Sequence, residues 1–211
     1  MKIKICGMKY AENIADIAAL KPDFMGFIFY PKSKRYVGED FQKSIVENIP
    51  EGIKKVGVFV NESFENIVAK CAEYDLDAVQ LHGNETPAFC QLLSKLNIVV
   101  IKAVLVDERI DFAVLSAYEP WCNYFLFDTK TDSYGGSGQT FNWALLEQYK
   151  LNTPFFLSGG LGLKNINQAL RFQHPMLYGV DVNSKLESEP GRKQVEACKS
   201  IIDTTRKYEH I

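Results

Sequence analysis

Lys2-Ile3-Lys4-Ile5-Cys6-Gly7-Met8-Lys9-Tyr10 reads as a short apolar strand that gives way to a loop. An open, doubly wound sheet that binds a dinucleotide wants Gly-x-Gly-x-x-Gly directly after its first strand. Cys6-Gly7-Met8-Lys9-Tyr10 lacks that fingerprint. Strand-length apolar runs then recur at Phe24 to Phe29, Lys55 to Val60, Ala78 to Leu81, Val99 to Val104, Tyr124 to Asp128, Phe155 to Ser158 and Tyr178 to Val182. Their apolar character is continuous rather than alternating, as in parallel strands covered on both faces. The stretches between them have helical spacing: Ala11 to Leu20, Phe41 to Asn48, Asn61 to Ala72, Pro87 to Leu96, Arg109 to Ser116, Trp143 to Tyr149, Asn165 to Phe172 and Lys193 to Lys207. In the third, Phe64, Ile67, Val68 and Cys71 form one stripe behind a Glu62 or Ser63 start signal. Eight strands alternating with eight helices predict an α/β fold, a single (β/α)8 barrel spanning 1–211. The length of 211 residues is compact for that fold, for which about 250 is typical and about 200 the lower end.

Composition narrows the function classes. With 46% hydrophobic residues the chain can bury one large core. The 24 basic and 26 acidic residues leave a formal charge of −2, so no basic field is present to hold nucleic acid or an anionic membrane. Lys32, Lys34 and Arg35 are only a local cluster. No apolar run reaches the roughly 18 residues of a membrane span, and the first strand carries no signal-peptide core, so the expectation is a cytoplasmic protein. Cys6, Cys71, Cys90, Cys122 and Cys198 are odd in number and without a Cys-x-x-Cys pair, which predicts no disulfide framework and four small core residues. His82, His174 and His210 have no ligand spacing, and no metal is expected.

Ligand groups of a parallel barrel gather where strands run out into loops at their carboxyl ends. Cys6 and Asp128 both stand at such a point, and a thiol with a carboxyl there suggests acid/base chemistry; the plain alternatives are a small buried hydrophobe for Cys6 and a turn carboxylate for Asp128. Ser158-Gly159-Gly160-Leu161 and Asp181-Val182-Asn183-Ser184 follow strands seven and eight, where barrels bind phosphate. Gly159 and Gly160 let backbone N–H groups approach phosphate oxygens, with Asn183 beside them and Ser184 adding a hydroxyl near a short helix start. Gly136 and Gly138, in Gly135-Gly136-Ser137-Gly138, read either as a solvent loop or as a segment that closes over substrate.

In order along the chain, Lys4-Ile5-Cys6-Gly7, Ser33-Lys34-Arg35-Tyr36, Val56-Gly57-Val58-Phe59-Val60, Gln80-Leu81-His82-Gly83, Phe127-Asp128-Thr129 with Gly135-Gly136-Ser137-Gly138, Ser158-Gly159-Gly160-Leu161 and Gly179-Val180-Asp181-Val182 resemble the phosphoribosylanthranilate isomerases of tryptophan biosynthesis. The resemblance covers the whole chain and implies a cofactor-independent Amadori rearrangement of a small phosphorylated substrate. It makes Asp128 the general acid that opens the ribose ring and Cys6 the general base at C2′. An ordinary thiol, with pKa about 8.5, is only a few per cent thiolate at neutral pH, so Cys6 is expected to be depressed or to lose its proton on substrate binding. Asp128 has the opposite need and must arrive protonated.

Arg35 resembles the residue that takes the anthranilate carboxylate, for which a guanidinium offers two parallel donors. Asp181 is expected to hold a ribose hydroxyl or to be bonded to backbone. His82 is read as shaping its loop and stands outside the acid/base pair. Lys34 occupies a position where many relatives have proline, and Asn183-Ser184-Lys185 one where Ser-Ser-Gly is common. The rival barrels fit less well: the histidine-pathway aminoaldose isomerase carries a carboxylate in place of Cys6, and indole-3-glycerol phosphate synthase needs more than Lys102. A non-catalytic phosphate-binding barrel is the rival from another class. A small barrel of this size is compatible with a monomer.

Overall fold

Eight parallel strands close on themselves in sequence order: β1 (Lys2–Ile5), β2 (Phe24–Ile28), β3 (Lys54–Phe59), β4 (Ala78–Leu81), β5 (Val99–Val106), β6 (Tyr124–Thr129), β7 (Phe155–Leu157) and β8 (Leu177–Val182). The computed structural model describes residues 1–130 and 140–208. The barrel shuts where Ile3 pairs with Val180 and Lys4 with Asp181. The predicted strands are all present, with ends displaced by two residues or fewer.

Two hydrophobic clusters follow from the two faces of these strands. The larger lies between strands and helices and includes Ile3, Ile5, Phe27, Leu81, Phe127 and Leu157 against Ile14, Ile17, Ile67, Leu93, Ile166 and Ile201. The smaller fills the barrel interior with Phe24, Val56, Ala78, Ile101, Ala103, Leu126 and Phe156. Strands β2 and β7 are not neighbours, yet the Phe24 and Phe156 rings meet edge to face at 5.3 Å, so the barrel is packed through its centre. Each buried phenylalanine contributes about 1.5–3 kcal/mol.

The outer ring contains α1 (Ala11–Ala19), α2 (Lys43–Glu47), α3 (Phe64–Tyr74), α4 (Pro87–Ser94), α5 (Ile166–Arg171) and α6 (Val195–Lys207). Ser63 caps α3 by accepting from the Asn66 N–H, and Thr86 caps α4 from Phe89 ahead of Pro87. The structure corrects the expectation of helices after β5 and β6: Phe112–Ala117 and Trp143–Gln148 are 3₁₀ stretches. Their buried residues, Phe112 with Leu115 and Trp143 with Leu146, are three apart and so line up in a three-residue turn. Asp111 and Asn142 start them by accepting from the N–H two residues on. A hairpin of β9 (Glu187–Glu189) and β10 (Arg192–Lys193), absent from the sequence reading, follows β8. The cysteines are free; Cys90, Cys122 and Cys198 are buried and Cys71 is half-buried.

Candidate active site

Polar groups are concentrated at the carboxyl-terminal mouth of the barrel, and they begin one layer below its rim. Lys4 points into the interior and is wholly buried, its ammonium donating to Asp181 Oδ1 and Gln80 Oε1 at 2.8 Å each. Asp181 Oδ2 accepts from the Ser158 hydroxyl at 3.0 Å, which satisfies the second oxygen of a buried carboxylate. Burial alone pulls the Lys4 ammonium down; the charges of Asp181 and Cys6 outweigh it and hold Lys4 above its ordinary value.

Cys6 is buried at the end of β1, its N–H tied to Val182 at 2.9 Å. Gly26 on β2 gives the thiol its room, since a Cβ there would lie 2.7 Å from Cys6 Sγ. Of the two expectations for Cys6, a depressed thiol or proton loss on substrate binding, the first is not met: the thiol is pushed up, first by burial and also by Asp181, while Lys4 and Lys193 pull it the other way. Asp128, near the end of β6, accepts from the Thr129 N–H through Oδ1 at 2.8 Å. His82 follows β4 and brings Nε2 to 3.4 Å from Asp128 Oδ2. The sequence reading gives His82 a loop-shaping part outside the acid/base pair; Gln80 and His82 continue the inward alternation of β4, which brings the ring to Asp128.

Arg35, 9% exposed, sits in the loop after β2. Its Nε and Nη2 are engaged by the Glu187 carboxylate at 2.7 to 3.0 Å. Lys193 Nζ also reaches Glu187, at 2.5 Å, and donates to Asn183 Oδ1 at 2.7 Å. Burial opposes the ionised Glu187, but Arg35 and Lys193 prevail and hold it below the usual glutamate range. Lys193 itself is lowered because its desolvation exceeds the attraction of the one carboxylate it faces. A depressed folded-state value means that ionised Glu187 stabilises the fold above the ordinary glutamate pKa and that this contribution is lost as pH falls through the depressed one. Glu187→Gln is therefore expected to cost about 1.5–3 kcal/mol near neutral pH, with the gap from the parent closing in acid. Urea midpoints measured across the acid range test this.

The loops after β7 and β8 meet the same mouth. Gly159 and Gly160 both have positive φ, 87° and 65°. A Cβ on Gly159 would press on Thr129 and lie 3.0 Å from Asp128 Oδ1, so only glycine permits this approach. Asn165 braces the loop, accepting from the Gly162 N–H and donating to the Gly160 carbonyl. Ser184 begins a three-residue 3₁₀ turn, Ser184–Leu186. Gly160, Gly162, Lys164 and Lys185 border a cavity of about 690 Å³. Gly136 and Gly138 lie outside the described residues.

Lys102 is on the outer face, paired in register with Leu81, and its ammonium is bound to Glu85 at 3.1 Å and to the carbonyls of Leu81, Gly83 and Ala103. Glu85 also accepts from the N–H groups of Asn61 and Gly83. This buried pair orders the His82-Gly83 loop instead of serving the mouth. Among the described residues, no group of three or more His, Cys, Asp and Glu side chains is placed to hold a metal ion, and no helix is long and apolar enough to cross a membrane.

A family profile described as N-(5'-phosphoribosyl)anthranilate (PRA) isomerase matches residues 3–204. The chain belongs to this isomerase family. A family member from Parabacteroides distasonis, named N-(5'-phosphoribosyl)anthranilate isomerase, is 43% identical over 203 residues, 96% of this chain and 92% of that protein. The crystal structure of the phosphoribosyl anthranilate isomerase from Thermotoga maritima superposes with a TM-score of 0.86 at 36% identity, covering 98% of this chain and 99% of that one. Another crystal structure of the family, in complex with reduced 1-(o-carboxyphenylamino)-1-deoxyribulose 5-phosphate, gives a TM-score of 0.82 at 33% identity with the same coverage.

Proposed function

We propose that this chain catalyses the reaction for which its family is named, converting N-(5'-phosphoribosyl)anthranilate into 1-(2-carboxyphenylamino)-1-deoxyribulose 5-phosphate for tryptophan biosynthesis, as one domain and a monomer in the cytoplasm. The observation that carries this reading is the placement of Cys6 and Asp128 on the rim of one barrel mouth, joined beneath it by Lys4, Gln80 and His82. Asp128 gives its proton to the furanose ring oxygen as the C1′–O bond breaks, leaving an iminium. The cation acidifies C2′–H; the Cys6 thiolate takes that proton, and the C–H electron pair forms the C1′–C2′ double bond of an enolamine while nitrogen becomes neutral. Tautomerisation returns a proton to C1′ and takes one from the C2′ hydroxyl, so the sequence is proton-neutral and needs no cofactor. The substrate's nitrogen is the electron sink.

The other predicted residues receive roles by the same reading. Arg35, with Nε and Nη2 committed to Glu187, offers its Nη1 edge to the anthranilate carboxylate. The backbone of Gly159 and Gly160 with Ser184 and Asn183 holds the phosphate, and Lys185, at the border of the adjoining cavity, adds a positive charge. Asp181 faces the ribose. Freshly generated substrate loses its fluorescence on conversion, and the purified chain is expected to accelerate that loss. Absence of turnover by a folded protein that still binds the reduced product analogue overturns the enzyme reading in favour of a binding barrel.

A further inference from the structure

His82 Nε2 is buried and has no hydrogen-bond partner among the described residues, although it points at Asp128 Oδ2 from 3.4 Å. An orphaned buried nitrogen calls for an explanation, and the other side of the ring provides one. Lys4 Nζ can only donate, so the Gln80 atom it meets at 2.8 Å is the carbonyl oxygen. The remaining Gln80 atom is then the NH₂ group, and it meets His82 Nδ1 at 2.8 Å. Nδ1 must accept, which places the imidazole proton on Nε2. Protonating Nδ1 as well would force Gln80 to turn its NH₂ group onto the Lys4 ammonium, and Lys4 is held by the buried Asp181 carboxylate.

We propose that His82 is a positioning residue for Asp128: Lys4 and Gln80 fix its tautomer so that an Nε2–H faces the carboxyl oxygen on which negative charge develops when Asp128 gives up its proton. The inference rests on the acid role assigned to Asp128. The carboxylate left by ring opening draws this donor in from its 3.4 Å separation. The same proton-transfer step then gains a donor that is already oriented and requires no reorganisation.

Nitrogen-15 NMR of the full chain carrying labelled histidine, with His82 assigned by its loss in His82→Gln, tests the tautomer without any reaction. A protonated Nε2 beside an unprotonated Nδ1 is expected, and Gln80→Met should mix the two tautomers. The opposite tautomer, or an imidazolium at neutral pH, overturns the proposal. Kinetics test the consequence. His82→Phe should lower kcat about 10- to 100-fold with KM unchanged, while His82→Gln, which puts an amide N–H where Nε2 stands, should recover most of it. Unchanged kcat in His82→Phe, or equal losses in both variants, overturns it while Asp128→Asn still abolishes turnover. Intact turnover by Asp128→Asn instead overturns the acid assignment, and the inference with it, whatever tautomer the spectrum shows.

Discussion

Cys6→Ser and Asp128→Asn are each expected to lower kcat by about 10² to 10⁴, the range contributed by a single acid or base, and to leave substrate binding close to that of the parent. Both changes are nearly isosteric, and in the proposed mechanism the two residues serve successive steps, so the variants should stall at different points. Asp128→Asn cannot protonate the ring oxygen and should retain the closed ribose. Cys6→Ser should still open the ring and accumulate the iminium, because a serine hydroxyl is far more difficult to ionise than a thiol. Rapid mixing with fluorescence and absorbance detection separates the two; retention of near-parental turnover by either variant removes its residue from the mechanism. The raised Cys6 thiol adds a pH dependence. Since the base must be thiolate, and burial keeps the thiol protonated at neutral pH more than in an exposed cysteine, the base-dependent rate should climb as pH rises through the elevated value. The lysines Lys4 and Lys193 limit how far that value rises.

Most strands are readable because burial on both faces writes continuous apolar runs into the chain, and Cys6 and Asp128 are readable because each stands where a strand-length segment gives way to a loop. The same logic found Gly159, Gly160 and Asp181 at the ends of β7 and β8. What could not be read is what closure of the barrel creates. Lys2-Ile3-Lys4-Ile5 alternates as a half-wet strand would, and nothing local announces that Lys4 is buried against a carboxylate 177 positions away. The hairpin of β9 and β10 is short and polar; it is anchored by Lys193 to Asn13, 180 positions apart, and by Glu187 to Arg35. Arg35 reads as one cation in a basic loop until that partner is seen. The 3₁₀ stretches were missed because an apolar spacing of three fits both a helix and a tighter turn. For His82, Gln80 two residues earlier was the available signal: in a strand, residues two apart share a face.

Lys4→Met is expected to be the most destabilising single change at the mouth, by about 3–5 kcal/mol, because it removes one side of a buried ion pair and leaves Asp181 charged in the barrel interior. For a chain of this size that is a fall in Tm of roughly 10 °C. The methionine fills the space of the lysine stem, so the loss is electrostatic and not a cavity effect, and the double variant Lys4→Met, Asp181→Asn should regain much of it: the amide keeps a partner in Ser158 and carries no charge. Thermal melts of the two single variants and the double form a cycle; if the double is no more stable than Lys4→Met, the ion pair is not the source. One ammonium thus neutralises Asp181, orients Gln80 and, through it, His82, and draws Cys6 toward its thiolate. Loss of Lys4 should therefore impair acid and base together, and Asp181→Asn in the same chain, by restoring stability without restoring the charge beside Cys6, should leave turnover low. On this reading stability and catalysis draw on the same buried charge for different reasons, and removal of its partner should repair only the first.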